Sequence, residues 1–142
     1  MTYITSYKRN KMNKIKIILK PIFYISIIFL LVISLFPGSL IGYLLYNDIG
    51  KQPSMIDNTF GPTLNHLIYY FYVSILGLFA YFGDKFYNKI VFFLFFISIF
   101  LELVHYLIPN RAFEPLDLIA NFFGVLIAYF AINIYNIKRR KQ

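Results

Sequence analysis

Four long stretches with almost no charge constrain this chain more than anything else in its sequence. Pro21 to Asn47, Asn58 to Gly83 and Leu118 to Ile137 carry no charged side chain, and Ile90 to Asn110 carries one, Glu102. A helix that crosses a bilayer needs about 20 mostly apolar residues, so each interval holds one span: 21–41, 64–83, 90–109 and 116–136. A soluble domain is about one-quarter charged. This chain is 14% charged and 59% hydrophobic, so its natural solvent is the bilayer. In hydrocarbon the backbone must bond to itself, and strand-length alternation is absent, so the expected fold is all-α. The expectation is a polytopic membrane protein whose four transmembrane helices form an antiparallel bundle. Pro37–Gly38 interrupts the first interval, and SLIGYLLYN after it reads as a kinked or interfacial continuation.

Lysine and arginine give the direction of insertion, because cytoplasmic loops are enriched in them. Six of the fourteen precede the first span, Lys85 and Lys89 lie between the second and third, and Lys138, Arg139, Arg140 and Lys141 follow the fourth. Only Lys51 and Arg111 fall on the other side. Both termini are therefore expected in the cytoplasm, with 42–63 and 110–115 outside. The organisation is a basic segment 1–20, a membrane domain 21–137 and a basic tail 138–142. A basic start before Ile22–Phe36 also resembles a signal peptide, but no small-residue cleavage site follows. The net charge of +8 follows this partition; it favours contact with anionic lipid heads over nucleic acid. With no cysteine in the chain, disulfides, thiolate metal sites and cysteine nucleophiles are excluded. The aromatic residues carry no individual functional reading.

Against this background residues 101–124, LELVHYLIPNRAFEPLDLIANFFG, stand out, because half of the six acidic residues fall within them. Glu102 lies about 10 Å below the outer end of span three, and His105 is one turn above it on the same face. On the descending span, Asp117 and Asn121 share a stripe with Gly124 and Ala128. A short turn makes the two helices neighbours, so Asn121 falls near the depth of Glu102. A carboxylate inside a span is costly unless paired. Arg111 is the basic residue within reach, and its forked donors would bridge Glu102 and Asp117. His66, in span two, reaches the same depth. Plainer readings stand beside these. Asp117 follows Pro115 and would simply complement a helix start. Ala120, Gly124 and Ala128 form an ordinary small-residue packing row. Each histidine would serve as a hydrogen-bonded interfacial anchor, and Asn121 as interhelical glue. Glu102-x-x-His105 has the spacing of a di-iron motif but occurs once, so no metal or other cofactor is expected.

In this order of residues the chain resembles the VanZ-like membrane family. Glu102 late in one span, the loop residue Arg111, and D-x-x-x-N-x-x-G at Asp117, Asn121 and Gly124 carry the resemblance, with His66-x-x-x-Tyr70-Phe71 in span two adding to it. It covers residues 22–136. Two positions depart from the family: His105 stands where glutamine is usual, and Pro62–Thr63 where an Asp-Lys pair is usual, with Asp57 farther back. The resemblance implies a multi-pass protein of the bacterial cytoplasmic membrane, in a family whose founding member is linked to low-level teicoplanin resistance. Three functions remain open. One is a polar pocket of Glu102, His105, Arg111, Asp117, Asn121, His66 and Tyr70 that binds an envelope lipid, a lipid-linked precursor or a lipoglycopeptide. Another is an enzyme acting on a lipid-linked group with Glu102, Asp117 and Arg111 as catalytic candidates. The third is a structural or assembly partner in the membrane.

Overall fold

The computed structural model describes residues 2–54, 56 and 60–140; Asp57, Lys141 and Gln142 lie outside the described residues. The chain is all-helical, with no strand among those residues. Its elements are α1 (Thr2–Leu35), α2 (Leu40–Tyr46), α3 (Gly61–Ala80), α4 (Tyr87–Val104), a single 3-10 turn (His105–Leu107) and α5 (Pro115–Arg140). Four helices are long and apolar enough to cross a membrane, as a multi-pass membrane protein requires: Lys14–Leu35, Gly61–Ala80, Tyr87–Leu107 and Pro115–Lys138.

The bounds differ from the expected spans for local reasons. The first helix ends at Leu35 rather than continuing to 41, because Pro37 donates no hydrogen bond and Gly38 takes a left-handed conformation, φ +81°. The chain then turns back as α2, a separate short helix. Ser39 Oγ accepts from the Gly42 N–H at its start, and Asn47, φ 53°, closes its end. The Ser39 N–H donates to Ile49 O at 2.7 Å, drawing 38–52 into a closed loop. Span two is the helix 61–80, three residues earlier than expected at each end, and opens with Pro62 near its start.

Each spanning helix buries one stripe and leaves the rest outward. Phe23, Ile27 and Leu30 of α1, Tyr70, Val73 and Leu78 of α3, Leu94, Ile97 and Leu101 of α4, and Val125, Ala128 and Ile132 of α5 form the core. Large apolar side chains such as Phe92, 72% exposed, and Phe130, 55% exposed, point away from it. In water such a surface would be an aggregation hazard; in a bilayer it meets acyl chains. The most extensive contact is between α3 and α5. There the Ala120–Gly124–Ala128 row is buried. A Cβ on Gly124 would lie 2.6 Å from Leu67 O and 2.9 Å from Phe71 N, so only glycine lets these backbones approach. Gly77 makes similar room for the Phe23 ring between α3 and α1.

Lys20 Nζ donates to Asp84 Oδ2 at 3.0 Å, and Lys16 donates to Phe82 O, tying α1 to the α3–α4 turn. The Lys20 hydrogen bond and the Phe86 N–H hold the Asp84 carboxyl below its ordinary pKa. Arg111, in the α4–α5 turn, ties the far end of α1 by donating to Ile33 O at 2.6 Å and Phe36 O at 3.3 Å.

Candidate functional site

Glu102 is the last inward-facing residue of α4 and is 1% exposed. Three donors converge on it. His105 Nδ1 approaches Oε1 at 3.2 Å from one turn on, the Glu114 N–H reaches Oε1 at 3.2 Å from the α4–α5 turn, and Asn121 Nδ2 reaches Oε2 at 3.2 Å from α5. An ionised carboxylate only accepts hydrogen bonds, so this shell of donors is the partner set it requires.

The orientation of Asn121 follows. Its amide nitrogen is committed to Glu102, so its oxygen faces away and meets His66 Nδ1 at 3.0 Å. His66 Nε2 lies 3.4 Å from Asp117 Oδ2, and Thr63 Oγ donates to Asp117 Oδ1 at 2.6 Å. The result is one continuous polar line, Thr63–Asp117–His66–Asn121–Glu102–His105, supplied by α3, α4, the 3-10 turn and α5. Asp117 and Asn121 join it because their four-residue spacing points both side chains at α3 and α4.

Arg111 does not bridge the two carboxylates, as its position in the sequence suggested. Among the described residues its hydrogen bonds go to carbonyls at the open end of α1, where the last helical carbonyls lack partners within the helix. Burial lowers its pKa from the ordinary arginine value, against the opposing influence of Glu102 and Asp117. Tyr70 also stands apart from the line: it is 3% exposed, its hydroxyl lies 3.5 Å from Ile97 O, and it packs in the core beside Gly124.

The line borders a polar cavity of about 310 Å³. His66, His105, Arg111, Glu114 and Asp117 line one side of it, and Ser39, Gly50 and Gln52 of the loop around α2 line the other. Glu102 and Asn121 lie behind this lining. His105 is 4% exposed, and its Nε2 has no hydrogen-bond partner. An ionised Glu102 can only accept, so Nδ1 then carries the proton, and in a neutral ring Nε2 is left as an acceptor. An oriented imidazole beside a cavity is able to bind a donor or to take a proton.

Sequence reasoning passed over three contributors. Thr63 appeared only as a departure from the family pattern, yet it is a direct partner of Asp117. Glu114 acts through its backbone N–H, which its side-chain identity cannot advertise. The α2 loop forms a wall of the cavity, and only its turn-forming residues hinted at compact structure. Among the described residues no group of three or more His, Cys, Asp or Glu side chains is arranged to hold a metal ion.

No family model, curated protein or solved structure matches the chain.

Proposed function

We propose that the chain is a VanZ-like integral membrane protein of the bacterial cell envelope, whose polar cavity binds the headgroup of an envelope lipid or of a lipid-anchored glycopeptide. In this reading four antiparallel spans place both termini in the cytoplasm and the cavity at the outer leaflet. The observation that carries it is the buried polar line that ends on His105, a residue that lines a polar cavity and whose buried Nε2 has no partner. Helix packing alone has no use for a carboxylate at Glu102, since its burial is costly unless every lone pair is met. Four apolar helices supply the membrane setting, and the Lys and Arg partition supplies the direction. The test compares cells with and without the gene, and cells carrying Glu102→Gln, for susceptibility to teicoplanin and to other envelope stresses. Loss of the gene and Glu102→Gln should sensitise alike. Unchanged responses to every stress would remove the proposal.

The Glu102–His105 pair favours a second reading, in which the same site hydrolyses or transfers a lipid-linked group. A carboxylate that fixes the tautomer of a histidine facing a cavity is the arrangement of an oriented general base. Purified protein offered radiolabelled lipid-linked precursors should then show turnover that His105→Gln abolishes. Repeated absence of turnover would leave binding alone.

A further inference from the structure

The polar cavity has an apolar neighbour. A second cavity of about 510 Å³ runs between α1 and α3, lined by Leu30, Ile33, Ile68, Tyr69 and Tyr72, with Ile41 of α2 at its edge. His66 lines both cavities. His66 therefore borders both a polar chamber and an apolar groove, and α1 and α3 are both helices of membrane-spanning length. At that depth the apolar matter available to fill a groove is an acyl or prenyl chain.

The polar chamber restricts the head that such a chain would carry. Asp117 and Glu114 line it, Glu102 lies just behind, and among the described residues Arg111 is the only arginine or lysine in the lining. Carboxylates outnumber that cation, which disfavours a headgroup whose recognition depends on its phosphate charge. His105 Nε2 is buried without a hydrogen-bond partner, and in the neutral ring with Nδ1 protonated it is an acceptor. Arg111 has five N–H groups and gives two to Ile33 and Phe36, so others remain to meet an acceptor. A hydroxyl group can meet either kind of polar group, since it both donates and accepts.

We infer that the two cavities form one site for an amphiphile, a lipid with a hydroxylated head seated in the polar chamber lined by His105 and Arg111, whose chain lies in the α1–α3 groove beyond His66. This rests on the reading of the polar cavity as a ligand site and adds the chemistry of the ligand. A sugar head and a glycerol head both supply such hydroxyls.

The test uses purified full-length protein in an amine-oxide detergent, whose head carries no hydroxyl to compete. Binding of glucosyl-dioleoylglycerol, dioleoyl-phosphatidylglycerol and dioleoyl-phosphatidylcholine is measured by native mass spectrometry, with glucose as a chainless competitor. The glucosyl lipid should bind about tenfold more tightly than phosphatidylcholine, the scale of one well-made buried hydrogen bond. Phosphatidylglycerol matching the glucosyl lipid would assign the glycerol hydroxyls, and weaker binding would assign the sugar; both outcomes support the site. His105→Phe should lower glucosyl-lipid affinity by a similar factor without changing phosphatidylcholine, and Ile68→Trp, which fills the groove, should weaken both. Equal binding of phosphatidylcholine in the wild type, or displacement of the lipid by glucose alone, overturns the inference even if the variants fail to fold. If Glu102→Gln sensitises cells while the hydroxyl preference is absent, this inference falls and the proposed function stands. A hydroxyl preference in vitro without an envelope phenotype gives the reverse.

Discussion

Asn121 and Glu102 lie on different helices, are each 1% exposed, and are joined by a 3.2 Å hydrogen bond from the Asn121 amide to Glu102 Oε2. The bond settles the orientation of Asn121 and so extends the carboxylate's influence to His66 and Asp117. Removing the amide strands a buried carboxylate oxygen and an imidazole nitrogen together. Asn121→Ala should cost about 3 kcal/mol of stability. Combined with Glu102→Gln, the losses should fall short of additive by about 1 kcal/mol, because both variants break one network. Thermal unfolding of the four proteins in detergent measures this, and strict additivity would mean the residues act separately.

Gly124 is where α3 and α5 come closest. A methyl group there meets Leu67 O at 2.6 Å and Phe71 N at 2.9 Å, and these are backbone atoms that no rotamer change can move. Gly124→Ala should therefore destabilise the protein by about 2 kcal/mol. Phe92→Ala, at an outward-facing ring 72% exposed, should change stability by less than about 0.5 kcal/mol. Size-exclusion profiles after graded heating would separate the two, and equal tolerance would argue against close packing of α3 on α5.

Arg111 holds the open end of α1 with two N–H groups at once. A lysine retains the charge but not the planar fork, so Arg111→Lys should lose at least one bond and cost about 1 kcal/mol. The change should be local, appearing as faster hydrogen exchange at residues 36–39. Exchange identical to wild type in both Arg111→Lys and Arg111→Ala would show that the carbonyl contacts anchor nothing.

The Lys20–Asp84 pair at the opposite end makes a pH-dependent contribution. Asp84 has a folded pKa below its unfolded one, so the stabilisation is fully present above the ordinary carboxylate value of about 3.9 and fades as pH falls through the folded value. The Tm difference between wild type and Asp84→Asn should thus hold from pH 7 to about pH 5 and shrink at more acid pH. A difference that grows on acidification would reverse the sign.

The insertion direction has a direct assay. Reporters fused at Lys51 and after Gln142 should read extracytoplasmic and cytoplasmic respectively, following the placement of twelve of the fourteen Lys and Arg residues. An extracytoplasmic reading at the C-terminus would break the four-span topology.

Local patterns and tertiary placement contributed differently to what this protein is. The long apolar intervals determined four helices, because in hydrocarbon a backbone of that length has one way to satisfy its own polar groups. The four-residue spacing of Asp117 and Asn121, with a short turn after Glu102, was also legible, since helical periodicity and chain reach are properties of neighbouring residues. The partners of Arg111 were not. Its charge suggested the nearby carboxylates, but the guanidinium instead meets carbonyls of Ile33 and Phe36, more than 70 positions away in sequence, and every carbonyl looks alike in a sequence. Thr63 and the Glu114 N–H were hidden for the same reason: a hydroxyl or an amide becomes a site residue only through the group it faces. The two cavities that meet at His66 are spaces between helices. They exist because α1, α3 and the α2 loop pack without filling every gap, and that depends on the three-dimensional arrangement of all three.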